Sequence, residues 1–309
     1  MKAVCLGIII ADIIGRPIRE LPEKGKLVLT DTITLHNGGC ATNTSIALAK
    51  LGISVTVAGA IGRDVFGDDL ISRLEGVGVD AAGVIRKEDA GTSKTIVLVD
   101  KEGERSFIHE IGANGSYTFD DFDLRLFDGA DILHLAGTFL MPSLDSYQTK
   151  RLLLEAKERG IKTSFDTVWN PSGNWMKVLE PSLQYIDFFL PSYAEGRELS
   201  GSDDPKEICD FFLDRGVGVV GLKMGREGSI IATRNSRHTV KPYRVRSIDT
   251  TGAGDAWVAG FLTGIMHGWD LERSGLFANA VGACSVTSVG ASTGIRGFAE
   301  TLLFMNENG

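Results

Sequence analysis

Asp249-Thr-Thr-Gly-Ala-Gly-Asp255 is a glycine-rich turn that leads directly into a helical pattern. Beyond the turn, apolar residues recur at three- and four-residue spacing, at Val258, Phe261, Leu262, Ile265 and Met266. A helix that begins here directs its unpaired backbone N–H groups and its positive dipole end at whatever lies above the turn. The small residues Gly252, Ala253 and Gly254 let an anion approach that backbone closely. The stretch therefore predicts an anion site with a carboxylate beside it.

An ordinary glycine-rich turn, with Asp255 as a partner of the helix dipole, is the alternative interpretation of this stretch taken alone. A second motif, Gly38-Gly-Cys-Ala-Thr-Asn43-Thr-Ser45, lies near the N-terminus and is followed by Gly52 and Gly62. In this order, the two stretches resemble the two signatures of the ribokinase (PfkB-type) carbohydrate kinases. The resemblance runs from the first strand to the last helix. It implies a sugar kinase that uses ATP and Mg²⁺.

Short β-branched runs alternate with helical patterns through most of the chain. The predicted strands are Val4–Ala11, Val55–Ala60, Ile132–Leu135, Lys162–Phe165, Phe188–Leu190 and Val217–Leu222. The predicted helices are Asn43–Leu51, Asp68–Leu74, Ser146–Arg159 and Pro205–Arg215. This alternation predicts an α/β fold with a doubly wound, mostly parallel sheet and helices on both faces. Functional groups are then expected beyond the carboxyl ends of the strands.

Two segments, 16–36 and 91–114, break this alternation, because apolar and polar residues alternate in them around turn signals. They predict antiparallel hairpins, and the resemblance implies that the hairpins form a small β-sheet lid. Residues 1–15, 37–90 and 115–309 would then form the α/β core that binds nucleotide and substrate. An apolar, half-exposed sheet often pairs with its copy, which makes a homodimer through the lid a candidate assembly.

The bulk properties restrict the partners. The net charge of −8 over 309 residues argues against a nucleic acid or an anionic membrane as partner. The apolar run Val4–Ile10 is too short to span a bilayer, and no secretory signal is apparent. The four cysteines are scattered without a C-x-x-C pair, which favours free thiols over a disulfide or zinc framework. We therefore expect a cytoplasmic protein whose partners are a small-molecule sugar and ATP.

Asp255 is the predicted catalytic base, because a sugar hydroxyl must lose its proton as the γ-phosphoryl group of ATP is transferred to it. The amides of Ala253, Gly254 and Asp255, on the turn at Gly252, would hold the equatorial oxygens of that group. The base and the anion hole of the family fall on these positions.

Asp12, Gly38, Gly39 and Asn43 form the predicted sugar-binding set. A carboxylate and an amide can bind adjacent hydroxyls, and glycines let a sugar lie against the backbone. The resemblance implies the same four positions, and a helix-capping role for Asn43 is the alternative. Further candidates to line the far side of the sugar pocket are His109, Asn114, Thr138, Asp166, Trp169 and Trp175.

Pro191-Ser192-Tyr-Ala-Glu195 resembles the N-x-x-E motif that positions Mg²⁺ and phosphate through water in the family. Ser192 stands where the family usually has Asn, while Glu195 keeps the carboxylate that a hard cation prefers. An N-cap at Ser192, with Glu195 completing a capping box, is a second interpretation that is compatible with the first.

The remaining cofactor positions are implied by the resemblance. Lys223-Met-Gly225-Arg-Glu-Gly228 resembles the K-x-G-x-x-G loop over the nucleotide phosphates, although a plain hairpin would also explain its glycines. Phe277 and Asn279 are candidates to border the adenine, and Asn279 could instead cap locally. Asp249 and the Thr251 carbonyl, with the loop 290–294, are a candidate K⁺ site.

The substrate is less sharply defined. The stretch 165–175 loosely resembles the D-x-N-x-R-x-x-x-W segment of fructokinases and ketodeoxygluconate kinases but lacks the Arg, which argues against an acidic or phosphorylated sugar. We expect a neutral pentose or ketohexose, phosphorylated on its terminal hydroxymethyl. A nucleoside kinase and a non-catalytic sugar or nucleotide sensor are the alternatives. A dinucleotide oxidoreductase and a P-loop ATPase are disfavoured, because neither G-x-G-x-x-G after a strand nor G-x-x-x-x-G-K-[ST] occurs.

Overall fold

The computed structural model describes residues 1–308, and its strands form two sheets. The strands in chain order are β1 (Lys2–Gly7), β2 (Ile10–Arg16), β3 (Thr32–Gly38), β4 (Ser54–Gly62), β5 (Asp80–Lys87), β6 (Lys94–Val99), β7 (Arg105–Glu110), β8 (Ile132–Thr138), β9 (Lys162–Thr167), β10 (Phe188–Phe189), β11 (Val219–Lys223), β12 (Ser229–Ala232) and β13 (Arg237–Val240). The α-helices are α1 (Cys40–Lys50), α2 (Val65–Gly76), α3 (Tyr147–Glu158), α4 (Trp175–Leu179), α5 (Tyr193–Ser200), α6 (Pro205–Leu213), α7 (Ala253–Met266), α8 (Leu271–Ser285) and α9 (Phe298–Asn308). None of these helices has the length and apolar character needed to cross a membrane.

The larger sheet has nine strands in the order β13-β12-β11-β10-β9-β8-β1-β4-β5. From β5 across to β11 all neighbours are parallel, and β12 and β13 extend that edge antiparallel. The chain order runs outward in one direction from β1 to β5 and in the other from β8. Ligands of such sheets bind beyond the carboxyl ends of the strands where the order reverses, which is here between β1 and β8. The predicted fold class is confirmed.

The alternation of side chains along β1 explains why its sequence is apolar throughout. Val4 and Leu6 pack into the apolar layer on one face of the sheet, and Ala3 and Cys5 pack into the layer on the other face. A strand that is buried on both faces has no solvent side, so its sequence shows no polar alternation.

The smaller sheet, called the lid sheet below, has four strands in the order β3-β2-β6-β7. Its strands β6 and β7 form an antiparallel hairpin, as predicted for the second segment. The predicted start of the lid at residue 16 is too late, because β2 already lies in the lid sheet from Ile10. The chain passes between the sheets at Ile8 and Ile9, which are buried like their neighbours, so the apolar run gives no signal of the boundary.

Asn114 holds this crossing point. Its side-chain Oδ1 accepts a hydrogen bond from the Ile9 N–H at 3.2 Å, and its Nδ2 donates to the Ile9 carbonyl at 3.1 Å. These bonds replace the ladder partners that Ile9 lacks between the two sheets. Asn114 is fully buried, so its prediction as a sugar contact is wrong.

Candidate active site

The catalytic turn, Asp249–Asp255, lies at the start of α7, whose N-cap is Gly252. Gly252 has φ of 70°, and a Cβ there would lie 2.6 Å from the Ala291 side chain, so the position requires glycine. The Ala253 N–H donates to the Thr250 carbonyl at 3.3 Å. Within residues 1–308 the N–H groups of Gly254 and Asp255 have no hydrogen-bond partner. Two of the three predicted anion donors are therefore open.

The Asp255 carboxylate lies directly beside these amides and is 8 % exposed. Its Oδ2 accepts a hydrogen bond from Asn43 Nδ2 at 2.8 Å, and Asn43 Oδ1 in turn accepts one from Asn37 Nδ2 at 3.0 Å. Burial raises the pKa of Asp255, while the Asn43 hydrogen bond and the positive charge of Lys223 oppose the rise. A carboxyl with a raised pKa is a stronger proton acceptor once it is ionised, as a general base requires.

Asn43 therefore contacts the predicted base and does not cap a helix end, since Gly39 is the N-cap of α1. Its sugar contact stays a prediction, because both of its recorded bonds are to protein groups and it is 5 % exposed.

Lys223 and Asp166 form a buried ion pair next to the catalytic turn. Lys223 Nζ lies 2.5 Å from Asp166 Oδ2, and the two side chains are 12 % and 4 % exposed. Nζ also lies 3.4 Å from the position that a Cβ on Gly254 would take. Burial disfavours the charged form of Lys223, but the carboxylates of Asp166 and Glu195 outweigh it and raise the lysine pKa. A charged ammonium is thus held against the backbone of the predicted anion hole.

The sugar contact of Asp166 stays a prediction. Its second carboxylate oxygen accepts the Thr167 N–H at 2.9 Å, so both oxygens are bonded within the protein. Asp166 lies within β9, where successive side chains point to opposite faces of the sheet, and a sequence pattern does not fix which face a residue takes.

A polar row crosses the lid sheet on one face. His36, Asp12, Thr95 and His109 are consecutive partners in the strand register of β3, β2, β6 and β7. The Asp12 carboxylate occupies the space above Gly38, where a Cβ would lie 2.2 Å from Asp12 Oδ2. Burial raises the pKa of Asp12 to about 6, against a hydrogen bond from Thr95. Asp12 and Gly38 are therefore placed together, as the sugar-binding prediction requires.

His109 extends the row at the edge strand. Its Nδ1 lies 3.0 Å from Thr95 Oγ1, and its buried Nε2 has no partner within the described part of the chain. Burial lowers the pKa of the imidazole, which keeps it neutral at physiological pH. A neutral ring nitrogen can exchange a hydrogen bond with a hydroxyl. Its contact with sugar stays a prediction.

The far wall lies at the carboxyl ends of β8 and β9. Thr138 is buried and pairs with Thr167 across the two strands. Trp175 packs edge-on against Phe139 and Trp169, with ring centroids 5.1 and 5.2 Å apart. Trp175 is 8 % exposed and Trp169 is 58 % exposed, so only Trp169 presents much surface to an entering ligand. The sugar contact of Thr138 stays a prediction.

Ser192 and Glu195 form the capping box of α5. Ser192 Oγ accepts the Glu195 N–H at 3.3 Å, and Glu195 Oε2 accepts the Ser192 N–H at 2.9 Å. Thr167 Oγ1 donates to the same Glu195 oxygen at 3.2 Å. Among residues 1–308, Glu195 Oε1 has no hydrogen-bond partner. The capping interpretation is confirmed, and a carboxylate oxygen remains for a hydrated cation.

The nucleotide end of the site differs from the sequence prediction. Gly225 and Gly228 lie in the turn between β11 and β12, as predicted. Phe277 is fully buried among aromatic side chains, and Asn279 uses its amide to bind Ser229, Trp257 and the carbonyls of Val240 and Lys241. Neither side chain has a free edge for adenine. Their adenine contacts stay predictions, which the helix pattern made without fixing the side that each residue faces.

Asp249 organises the start of the catalytic turn. Its Oδ1 accepts the N–H of Thr251 at 2.9 Å and the Thr251 hydroxyl at 2.6 Å, and its Oδ2 accepts the Gly290 N–H at 2.9 Å. Burial raises the pKa of Asp249, but these hydrogen bonds and the nearby charge of Arg105 outweigh it and keep the pKa low. The candidate K⁺ site at Asp249 and Thr251 stays a prediction.

Arg105 is the functional candidate that the sequence analysis missed. It begins β7 in the lid sheet, yet its guanidinium donates to the hydroxyls of Thr250, at 2.6 Å, and Thr251. Its Nη1 also lies 3.6 Å from Asp249 Oδ1. The partners are far away in the chain, and no local pattern connects them.

A cavity of about 680 Å³ lies between the lid sheet and the outer side of the catalytic turn. Residues of both parts line it, among them Arg16, Arg105, Asp249 and Thr250, and Arg226 of the turn between β11 and β12 lines it as well. Asp255 does not line this cavity, so the volume of the cavity does not measure the space that is open to the reacting groups. The catalytic interpretation depends on the geometry of the turn.

The chain is similar to known carbohydrate kinases. The family model described as pfkB family carbohydrate kinase matches residues 1–296. A sugar kinase of uncharacterised specificity from Archaeoglobus fulgidus is 32 % identical over 81 % of this chain and 98 % of its own length. The 2-dehydro-3-deoxygluconokinase of Bacillus subtilis is 28 % identical over 88 % of this chain and 87 % of its own.

Among solved structures, a protein of Escherichia coli provisionally assigned as ribokinase II, in complex with ATP and Mg²⁺, superimposes with a TM-score of 0.85. It is 26 % identical, and the match covers 99 % of each chain.

Proposed function

This chain belongs to the pfkB family of carbohydrate kinases, and from that premise we propose that it transfers the γ-phosphoryl group of ATP to the terminal hydroxymethyl of a neutral pentose or ketohexose. The observation that carries the proposal is the Asp255 carboxylate beside the open N–H groups of Gly254 and itself. The carboxylate accepts the hydroxyl proton, and the N–H groups stabilise the negative charge of the transferring phosphoryl group.

Different residues supply the base, the positive charge and the sugar contacts in this proposal. Asp255 holds the sugar hydroxyl and takes its proton, and the Asn43 hydrogen bond fixes the orientation of the carboxylate. Lys223 places a positive charge against the catalytic turn, where the phosphoryl oxygens would lie. Asp12 and its row on the lid sheet bind the remaining hydroxyls and cover the reacting groups from water.

Mg²⁺ fits the residues at Glu195. A hard cation prefers carboxylate oxygen and water, and one Glu195 oxygen is unbonded in the described chain. Bound with ATP, the ion supplies charge neutralisation at the phosphates. The Ser192 hydroxyl accepts the capping hydrogen bond, so we assign the cation contact to Glu195 alone.

We favour a neutral sugar because the two cations that lie against the catalytic turn, Lys223 and Arg105, are already paired. Lys223 is bound to Asp166, and Arg105 is bound to Thr250, Thr251 and Asp249. Asn170, in the stretch where the ketodeoxygluconate kinases carry Arg, is buried and bonded to Ser172 and Asn174. A sugar carboxylate would find no uncommitted cation among these groups. The substrate that we propose therefore differs from the one that the name of the Bacillus relative gives.

The test is a screen of ADP release, coupled to a detector reaction, across pentoses, ketohexoses, sugar acids and nucleosides with Mg-ATP. We expect a neutral pentose or ketohexose to give the highest kcat/KM, and removal of Mg²⁺ to abolish turnover. Parallel assays with K⁺ and with a tetraalkylammonium salt test the candidate cation site. A preference for sugar acids or nucleosides would refute the substrate class, and sugar binding without turnover would favour the sensor.

We also propose a homodimer through the outer face of the lid sheet, opposite the polar row. Leu35, Ile13, Ile96 and Ile108 form a continuous row across its four strands. Ile96 is 44 % exposed and Ile108 is 60 % exposed, which is a large apolar surface for a monomer to leave in water. Separately, we propose a cytoplasmic location for the kinase, because ATP is its proposed co-substrate.

Ile108→Lys is expected to convert the dimer to a monomer in analytical ultracentrifugation, because a charge in a sheet-to-sheet contact is costly to desolvate. Leu303→Lys is the matched control, since Leu303 is 61 % exposed on α9 and should leave the mass unchanged. A wild-type protein that sediments as a monomer at micromolar concentration would contradict the proposal.

A further inference from the structure

Both edge strands of the lid sheet are linked to the catalytic turn, one through Asn43 and the other directly. At one edge, Asn37 of β3 bonds to Asn43, which bonds to Asp255. At the other edge, Arg105 of β7 bonds to the hydroxyls of Thr250 and Thr251. The two contacts reach the two ends of the turn, the base at one end and the threonines at the other. They are called the edge clamp below.

We propose that Arg105 is a positioning residue for phosphoryl transfer, and that the edge clamp couples closure of the lid sheet to the geometry of the anion hole. This inference rests on the proposed function. A guanidinium with two hydroxyl partners fixes both distance and orientation, which a single contact does not. The Arg105 side chain is 24 % exposed, and its contact with the turn borders the cavity between the lid sheet and the turn.

The consequence is a coupling between closure and chemistry. The threonines that Arg105 holds precede the Gly254 and Asp255 amides in the same turn. Movement of the threonines should therefore displace the amides. By holding the lid sheet to the turn, the clamp would also keep the lid over the reacting groups, so its loss should increase transfer of the phosphoryl group to water.

The experiment measures the partition between ATP hydrolysis and sugar phosphorylation, with ribose and with fructose as acceptors. Arg105→Ala should raise the fraction transferred to water by about tenfold or more, in line with the loss of charged hydrogen bonds. In Arg105→Lys this fraction should lie between those of wild type and Arg105→Ala, because one ammonium group reaches only one of the two hydroxyls. The ratio of ATP hydrolysis to sugar phosphorylation does not change if part of the sample is unfolded, because unfolding lowers both rates by the same factor.

Two variants make the test specific. Lys101→Ala removes a cation from the same hairpin. Its side chain is 71 % exposed and, among residues 1–308, forms an ion pair only with its neighbour Glu102, so its loss should not change the partition. Thr250→Val removes a hydroxyl whose recorded partner is Arg105. Arg105→Ala should have a smaller effect in the Thr250→Val background than in wild type. Equal partition in Arg105→Ala and Lys101→Ala, or fully additive effects, would overturn the proposal.

Hydrogen exchange of the turn 100–104 in ligand-free protein gives a readout that does not depend on activity. It should be faster in Arg105→Ala than in wild type and in Lys101→Ala. Unchanged exchange would overturn the edge clamp. A wild-type protein that phosphorylates none of the screened sugars would refute the proposed function, while the exchange experiment would still decide on the clamp.

Discussion

Asp255→Asn is expected to lower kcat by about 10³-fold while the KM values for sugar and ATP change by only a few-fold. The amide keeps the shape and the Asn43 contact of the carboxylate but cannot take a proton. Binding of the ground state and stabilisation of the transition state are separable, so the loss should fall on turnover. Steady-state kinetics with saturating Mg-ATP measure it.

Asp68→Asn is the matched control, because Asp68 also lies in the first turn of a helix, in α2, but its side chain is 68 % exposed and pairs with Arg86. Its kinetics should equal those of wild type. An Asp255→Asn enzyme that kept most of its turnover would refute the assignment of the base.

The raised pKa of Asp255 has two consequences for pH dependence. The acid limb of kcat/KM should lie above the ordinary aspartate value of 3.8, because the base must be ionised to act. A raised pKa in the folded state contributes stability that is complete below 3.8 and is lost as pH rises through the folded pKa. The neutral Asn removes this loss, so the thermal unfolding temperature of Asp255→Asn should match or exceed that of wild type at pH 8.

The sequence predicted those parts of the site that lie together in the chain. The turn Asp249–Asp255, the glycines at 38 and 39, and the capping box at Ser192 are local patterns whose backbone geometry follows from residue type. The doubly wound fold followed from the alternation of strands and helices for the same reason.

The remainder depended on contacts that are distant in sequence. Asp166 looked like a free carboxylate until Lys223 was placed against it, and Asn279 looked like a free amide until β12 and β13 packed on α8. Arg105 gave no signal, since its threonine partners lie in another part of the chain. Such side chains acquire a role only through tertiary packing, which a linear pattern does not encode.

Lys223→Met is expected to lower both stability and turnover. Removing one member of a buried ion pair leaves Asp166 uncompensated, which costs about 3–5 kcal/mol of unfolding free energy. The pKa of Asp166, already raised by burial against the opposing charge of Lys223, should rise further. The stability of the variant should therefore decrease as pH rises, because ionised Asp166 is disfavoured only in the folded state. Denaturant unfolding at pH 6 and pH 8 measures this.

The double variant Lys223→Met/Asp166→Asn separates the two roles of the lysine. A neutral amide at 166 can still accept the Thr167 N–H, so most of the stability should return. Turnover should stay about 10²-fold or more below wild type, because the positive charge against the anion hole is still missing. Lys162→Met, at the opposite end of β9, should change neither property. Full recovery of activity in the double variant would show that Lys223 only neutralises Asp166, and would remove the lysine from the proposed catalytic site.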